Sequence, residues 1–232
     1  MSKRLTYHHG NLRRALLEAA SALLDEGGLA ALSLREVARR AGVTHSAPYH
    51  YFADRSALLS AVAEEGFSLL TQALEEARDG AHEPLARFAA LGCAYVGFAL
   101  EYPGYFRIMF RPELADLKDC DDPDHVSHRS FRILVDVISE CQEAGLAPGG
   151  DPMPLVLSAW SLVHGLASLW LDGPLSRSPL AETVSAGQLS TVVTGTMAEL
   201  LDRSAATPLP AGIELPSADR WCPAITTKEE PR

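Results

Sequence analysis

The sequence predicts an all-α protein, and three observations support this prediction. Apolar residues recur three and four residues apart along most of the 232-residue chain, which is the spacing of a helix face. No segment shows the sustained alternation of apolar and polar residues that is typical of β-strands. Glycine, proline and capping residues divide the helical pattern into about nine helices. We therefore expect a three-helix head, joined by a long helix to a larger α-helical body.

The head is predicted to contain three helices, at residues 11–26, 34–41 and 44 to about 52. The pair Gly27-Gly28 is a natural stop for the first helix. Ser33 with Glu36 three residues later has the pattern of a capping box, which opens the second helix. Thr44 is suited to cap the third helix. These signals place a short turn between the second and third helices.

The connecting helix is predicted to begin at Asp54, which can cap it, and to run to about residue 79. Proline and glycine turns separate the helices of the body, at 84–102, 105–110, 125–144, 155–171 and 179–203. After Ser204 the sequence is rich in Pro, Ala and Ser and shows no periodicity. We therefore predict a head at 1–54, a body at 55–204, and a disordered tail at 205–232.

Charge is distributed unevenly between the head and the body. The formal net charge of the chain is −10, yet residues 1–60 hold eight Lys and Arg against five acidic residues. The remaining residues therefore carry a net charge of −13. This asymmetry indicates a cationic head that contacts a polyanion and an acidic body that does not.

The cysteine spacing and the apolar segments indicate a cytoplasmic protein. The four cysteines lack the close pairing of a zinc site, and no N-terminal apolar run resembles a signal peptide. The most apolar stretch, residues 155–171, is shorter than the ~20 apolar residues that span a bilayer and is interrupted by polar residues. We interpret it as a buried helix and expect no contact with a membrane.

The sequence offers little that would support catalysis. It contains no glycine-rich phosphate loop, nucleophile elbow or HExxH helix. The acidic segment 119–128 holds side chains that could ligate a metal, but their spacing fits no metal-site template. These side chains are Cys120, Asp121, Asp122, Asp124, His125 and His128. We expect neither a metal nor a cofactor, and we expect that the protein is not an enzyme.

Residues 33–52, SLREVARRAGVTHSAPYHYF, contain each part of a helix-turn-helix. Gly42 permits the turn between the two helices, and Ser33 can offer its hydroxyl and nearby amides to a phosphate. The second helix carries hydrogen-bonding side chains, His45, Ser46, Tyr49 and His50, with little apolar bulk to bury. Such an exposed polar face predicts recognition of base edges in DNA. Pro48 lacks an N–H, so this helix is expected to start loosely or to kink.

The segments AAxxLLxxxG, LREVARRAGV, YHYF and DRSALL resemble those of the TetR family of one-component repressors, as does the lead-in YHHGNLRRALLEAA. The resemblance is strongest over residues 7–65. It implies that the second motif helix enters the major groove, that Arg35 reaches a base, and that Tyr51 and Arg55 contact the DNA backbone. The positions that match the groove-facing residues of the family are Thr44, His45, Ser46, Ala47, Tyr49 and His50.

The helix at 155–171 is apolar nearly all round, so both of its sides must be covered, and a second subunit is an economical cover. The resemblance implies a homodimer through the last two long helices. Trp160, His164 and Gly165 match the Trp-x3-His-Gly signature of one class of TetR-family C-terminal domain. Apolar and polar residues of the body predict a pocket for a small molecule. Its candidates are Cys93, Phe98, Tyr102, Phe106, Phe110, Trp160 and His164.

Together these features predict a regulator that binds double-stranded operator DNA and responds to a small hydrophobic effector, with repression as its expected effect. Two alternatives stay open. One is a constitutive DNA-binding or nucleoid protein without a ligand. The other is an enzyme that keeps the head only as a scaffold, which bound metal or cofactor absorbance in the purified protein would reveal.

Overall fold

The structure is a computed structural model, and it describes residues 9–111, 114 and 125–207. Over these residues the regular structure is entirely helical, which confirms the predicted all-α class. The α-helices are α1 (His9–Ala31), α2 (Leu34–Arg40), α3 (Arg55–Asp79), α4 (Pro84–Glu101), α5 (Pro103–Met109), α6 (Val126–Glu143), α7 (Met153–Leu171) and α8 (Ala186–Ser204). Two 3₁₀ turns accompany them, at Ala47–His50 and Pro179–Glu182.

The described residues form two compact units. Unit 1 contains α1, α2, the first 3₁₀ turn, the part of α3 up to Gly66, and α5. Within it α1 packs against α2 and α5. Unit 2 contains the rest of α3 together with α4, α6, α7 and α8, and α4 packs against α6, α7 and α8. The helix-turn-helix therefore lies in unit 1, and the Trp-x3-His-Gly signature lies in unit 2.

The first helix breaks at the glycine pair where it was predicted to stop, and a short helical segment follows. It extends to Ala31 across a kink at Gly28, whose backbone has φ 61° and ψ −159°. A positive φ is accessible to glycine without a Cβ clash, so Gly28 breaks the helix and a further helical turn follows it. The predicted stop is therefore present, as a break inside the range His9–Ala31.

Of the three predicted caps, those at Ser33 and Asp54 are present, the first in part. The predicted Thr44 cap is wrong: its hydroxyl lies 3.3 Å from that of Ser46, and the 3₁₀ turn has no side-chain cap. The Ser33 side chain accepts a hydrogen bond from the backbone N–H of Glu36 at 3.1 Å. The Glu36 carboxylate does not return to Ser33, because it is hydrogen-bonded to the Arg39 guanidinium. At the start of α3, the carboxylate of Asp54 accepts from the Ala57 N–H at 2.9 Å, as predicted.

The predicted helix at 179–203 is divided in two. Residues 179–182 form a 3₁₀ turn, and α8 starts at Ala186. The reason is a complete capping box: the Ser185 side chain accepts from the Gln188 N–H at 3.2 Å, and the Gln188 amide oxygen accepts from the Ser185 N–H at 2.9 Å. This reciprocal cap sets the true N-terminus of α8.

Helix α5 begins two residues earlier than predicted. Pro103 occupies its first turn, where its missing N–H costs nothing. Gly104 follows and lies against α1: a Cβ at this position would come 2.4 Å from the backbone oxygen of Ser21. The Pro103-Gly104 pair therefore opens α5 and lets it approach α1 closely.

Candidate DNA-binding surface and body site

The second helix of the motif is a single 3₁₀ turn, so the predicted α-helix over 44–52 is wrong in type and in length. Two of its bonds join groups three residues apart, Ala47 N–H to Thr44 O at 3.0 Å and Tyr49 N–H to Ser46 O at 3.2 Å, and a bond of α-helical spacing, Phe52 N–H to Pro48 O at 2.9 Å, ends the segment. Pro48 has no N–H with which to close an α-helical bond to Thr44. The predicted disturbance at Pro48 is therefore present, as a tighter turn.

Most of the residues predicted to contact DNA are exposed. The exposed ones are Ser33, Arg35, Thr44, His45, Ser46, Tyr49, His50 and Arg55, whereas Ala47 and Tyr51 are half-buried. Pro48 and Phe52 of the same segment are buried, and α2 packs against the 3₁₀ turn. Tyr49 is notable because 53% of this large side chain is exposed. The fold thus buries the apolar residues of the turn and leaves its hydrogen-bonding side chains outside.

The arginines near the motif differ in their partners. Arg39 pairs with Glu36, and Arg40 pairs with Glu26 through two hydrogen bonds, at 2.5 and 2.6 Å. Arg35 forms no ion pair within the described residues. Arg55 donates through Nη2 to the backbone oxygen of Leu29, and its guanidinium retains further N–H donors. Arg35 and Arg55 are therefore the cations near the motif that are not neutralised by a described carboxylate.

The seven candidates for a ligand pocket are divided between the two units. Tyr102, Phe106 and Phe110 belong to unit 1, where the rings of Phe106 and Phe110 pack edge to face with centroids 5.6 Å apart. The candidates in unit 2 are Cys93, Phe98, Trp160 and His164. The sequence predicted one pocket from these seven residues, whereas the fold divides them between two units.

Tyr95 connects two of the candidates of unit 2, Trp160 and His164, through hydrogen bonds. Its hydroxyl lies 2.8 Å from His164 Nδ1 and accepts from the Trp160 indole N–H at 3.3 Å. Burial raises the pKa of the Tyr95 phenol far above its usual range, and burial lowers the pKa of His164. Both groups are therefore neutral near pH 7. Tyr95 and His164 are 69 residues apart in sequence, and no local pattern could have revealed their contact.

A cavity of about 20 Å³ lies elsewhere in unit 2, among α4, α6, α7 and α8. Its wall includes Phe88, Gly92, Val163, Thr194 and Met197. Thr194 donates its hydroxyl to the backbone oxygen of Ser190 at 2.9 Å, and a Cβ at Gly92 would come 2.4 Å from its Cγ2 methyl. The cavity wall is thus apolar, and the space has room for only about one methyl group.

Helices α7 and α8 expose large apolar side chains. These are Leu162 and Leu169 on α7 and Val192 and Leu200 on α8, with 39% to 62% of each exposed. Among the described residues, α7 is the one helix that is long and apolar enough to cross a membrane by length and composition, and a third of it is buried. It also packs against α4, α6 and α8 of unit 2. Both helices therefore carry apolar surface that unit 2 itself does not cover.

The acidic segment 119–128 lies mostly outside the described residues. Within them, His125 caps α6 by accepting from the Ser127 N–H at 3.3 Å, and His128 is buried. No group of three or more His, Cys, Asp or Glu side chains that could hold a metal occurs in the described part of the chain. Residues 1–8 and 208–232, which include most of the predicted tail, are also outside it.

Two family models match the chain. Residues 16–62 match the model described as bacterial regulatory proteins, tetR family, and residues 88–202 match the tetracyclin repressor-like C-terminal domain. The first match contains the helix-turn-helix, and the second contains the Tyr95, Trp160 and His164 network.

Solved structures with a similar fold include a protein of unknown function from Rhodococcus sp. RHA1, with 37% identity and a TM-score of 0.69. The match covers 86% of this chain and 100% of the Rhodococcus chain. A TetR-family regulator from Marinobacter aquaeolei VT8 has 17% identity and a TM-score of 0.62, covering 82% of this chain and 96% of its own. The regulator FadR from Bacillus subtilis, solved with stearoyl-CoA, has 15% identity and a TM-score of 0.65, covering 80% and 97%. At these lower identities the likeness shows the fold alone.

Proposed function

Because the chain belongs to the TetR family of transcription regulators, which are generally DNA-binding and ligand-responsive, we propose that it is a homodimeric repressor released from its operator by a small hydrophobic effector. The observation that carries the proposal is the contrast between buried apolar and exposed polar side chains within residues 44–52. Pro48 and Phe52 are buried, while His45, Ser46 and Tyr49 project from the same short turn. We assign residues 1–54 to DNA binding and 55–204 to effector binding and dimerisation.

The proposed contacts divide into two kinds. Arg55 and the amides near Ser33 face phosphates, which contribute affinity for any sequence. His45, Ser46, Tyr49, His50 and the Arg35 guanidinium face base edges in the major groove, which contribute specificity. Thr44, Ala47 and Tyr51 complete this surface.

A homodimer accounts for the exposed apolar surface of α7 and α8. Pairing of these helices with their symmetry mates would cover Leu162, Leu169, Val192 and Leu200 by an isologous contact. A two-fold symmetric dimer presents two heads, which suits a palindromic operator with half-sites about one helical turn apart. The exposed face of α7 is then an interface between subunits in the cytoplasm, and no membrane is involved.

Release from DNA is proposed to occur by a shift of population. An effector shifts the protein toward a non-binding conformation only to the extent that it binds that conformation more tightly. The candidate effector-binding residues are Cys93, Phe98, Trp160 and His164 of unit 2, together with Tyr102, Phe106 and Phe110. Their composition, aromatic with few polar groups, favours a small hydrophobic molecule.

The test is an electrophoretic mobility shift with the full chain and the DNA upstream of its own gene. We expect a shift in low salt that persists at ~200 mM salt for the operator fragment, while a scrambled fragment of equal length is bound only in low salt. Equal binding of both fragments at either salt concentration would contradict sequence-specific regulation and would favour the nucleoid-type alternative. The matched control is Arg39→Ala, since this guanidinium is already paired with Glu36.

A further inference from the structure

The segment that carries most of the proposed base contacts is attached to α1 at both of its ends. This recognition segment, residues 41–54, follows Arg40, the last residue of α2, and precedes Arg55, the first residue of α3. Arg40 donates two hydrogen bonds to the Glu26 carboxylate, and Arg55 donates one to the backbone oxygen of Leu29. Both acceptors belong to α1. The end of α1 therefore holds both ends of the recognition segment.

The break at Gly28 lies between these two acceptors. Its φ of 61° is in the left-handed region, which glycine adopts without a Cβ clash. After the break, the Leu29 oxygen lies in the last turn of α1, where carbonyl groups lack an α-helical N–H partner. It accepts instead from the Leu32 N–H at 3.3 Å and from Arg55 at 2.5 Å. The end of α1 thus offers one neutral acceptor in addition to the charged one on Glu26.

A second glutamate–arginine pair of the head offers a comparison. Glu36 and Arg39 are three residues apart on α2, so their contact stays within one helix. Glu26 and Arg40 are 14 residues apart and join α1 to α2. Both pairs reach the solvent, so neither is expected to contribute much to the folding free energy. A guanidinium that binds one carboxylate at two points nevertheless fixes an orientation as well as a distance.

The orientation of Arg40 matters because the recognition segment continues directly from the end of α2. A backbone hydrogen bond from the Val43 N–H to the Ala38 oxygen, at 3.0 Å, ties the turn back to this helix. The polar side chains of residues 44–50 follow, and α2 packs against the 3₁₀ turn. A displacement of the end of α2 relative to α1 therefore moves the side chains that we assign to base edges.

We propose that Glu26 is a positioning residue for base recognition: through Arg40 it fixes the end of α2 on α1 and so holds the recognition segment in the orientation that reads bases. Glu26 acts through Arg40 and not by contact with DNA. This inference rests on the proposed sequence-specific function, and it adds a residue outside the helix-turn-helix at 33–52 to the determinants of specificity. A carboxylate that acted only by its negative charge would weaken binding to every DNA sequence alike. The two roles therefore predict different results for the same substitution.

The first test compares Glu26→Gln with Glu36→Gln in the full chain. Each substitution removes one negative charge, because a hydrogen bond from the arginine partner lowers the pKa of either carboxyl and keeps it ionised near pH 7. Binding to operator and scrambled duplexes is measured by fluorescence anisotropy. The ratio of the two affinities should fall about fivefold in Glu26→Gln and stay constant in Glu36→Gln. An unchanged ratio in Glu26→Gln, or an equal fall in both variants, would overturn the proposal.

A charge swap separates positioning from a direct role of either side chain. Glu26→Arg and Arg40→Glu each place two like charges together and should lower the ratio of operator to scrambled affinity. The double variant restores an ion pair and the net charge of the head, so its ratio should return to within about twofold of the wild-type value. A double variant that did not recover would show that Arg40 or Glu26 acts alone, for example by contact of Arg40 with a phosphate, and would refute the proposal.

The third test needs no DNA. Hydrogen–deuterium exchange is followed by mass spectrometry in peptides that cover residues 41–54 of the full chain. Exchange there should be about threefold faster in Glu26→Gln than in the wild type, and unchanged in Glu36→Gln. Equal exchange in the three proteins would contradict the support by Glu26. If the exchange differs as expected but the wild type shows no operator preference, the proposed regulatory function alone is contradicted.

Discussion

The guanidinium of Arg55 donates a hydrogen bond from Nη2 to the backbone oxygen of Leu29, 2.5 Å away. Arg55 is the first residue of α3, and Leu29 lies in the last turn of α1, directly after the kink at Gly28. The side chain therefore connects the end of one head helix to the start of another. Arg55, which was expected only to contact phosphate, therefore also stabilises the packing of α1 and α3 on either side of the motif.

Arg55→Ala should weaken binding to all DNA sequences by a similar factor and lower the dependence of log K on log salt by about one. Fluorescence anisotropy with operator and scrambled duplexes at several salt concentrations measures both effects. The melting temperature should also fall, because the bond to Leu29 is lost. A change in operator preference would show that Arg55 reads bases.

Tyr49→Ala and His45→Ala should alter the preference among operator variants, because both side chains are exposed in the second part of the motif, residues 44–52. Each lost base contact is expected to remove about 1–3 kcal/mol of discrimination at one base pair. Competition against a set of single-base operator variants measures this. A uniform loss over every variant would assign these side chains to the DNA backbone.

Ser33→Ala should destabilise the head by about 1 kcal/mol, since the Ser33 side chain accepts from the Glu36 N–H. Urea unfolding followed by circular dichroism measures the loss. Ser46→Ala provides the matched control, because Ser46 precedes the 3₁₀ turn without forming a side-chain cap. Equal destabilisation by the two substitutions would remove the special role of the Ser33 cap.

Gly104→Ala should destabilise unit 1 by about 1–3 kcal/mol, because its Cβ would lie 2.4 Å from the backbone oxygen of Ser21. Gly97→Ala in α4 is the control: nothing lies within 4 Å of its Cβ, and alanine favours the helix by up to about 1 kcal/mol. The midpoint of urea unfolding should therefore fall for Gly104→Ala and rise for Gly97→Ala. A neutral Gly104→Ala would show that α5 withdraws from α1 without cost.

Val192→Asp should convert the protein to monomers, because it places a charge on the apolar face of α8, where 62% of the valine is exposed. Size-exclusion chromatography with light scattering measures the mass. Ala86→Asp introduces the same charge at an exposed position of α4 and should leave the dimer intact. A Val192→Asp protein that stayed dimeric would move the interface away from this face.

The sequence predicted the helices well where capping and turn chemistry is local. The structure confirms the Ser33 and Asp54 caps and the exposure of the motif's polar residues. Each of these features depends on a few residues that are close in sequence. The course of α1 beyond Gly28 and the Ser185–Gln188 box that divides 179–203 were missed. At both places two local signals compete, and the backbone geometry or a reciprocal hydrogen bond decides between them.

By itself, the sequence determined the all-α class, the presence of a helix-turn-helix and the family, because periodicity, capping residues and motif spacing are written along the chain. The disturbance at Pro48 was predictable, and the structure added that it takes the form of a 3₁₀ turn. Only the tertiary structure revealed that Arg55 bonds to Leu29, that α5 packs on α1, and that Tyr95 meets His164. The physical reason is the same for these contacts. Each joins groups that are distant in sequence, and the residues around one partner do not indicate which residue it will contact.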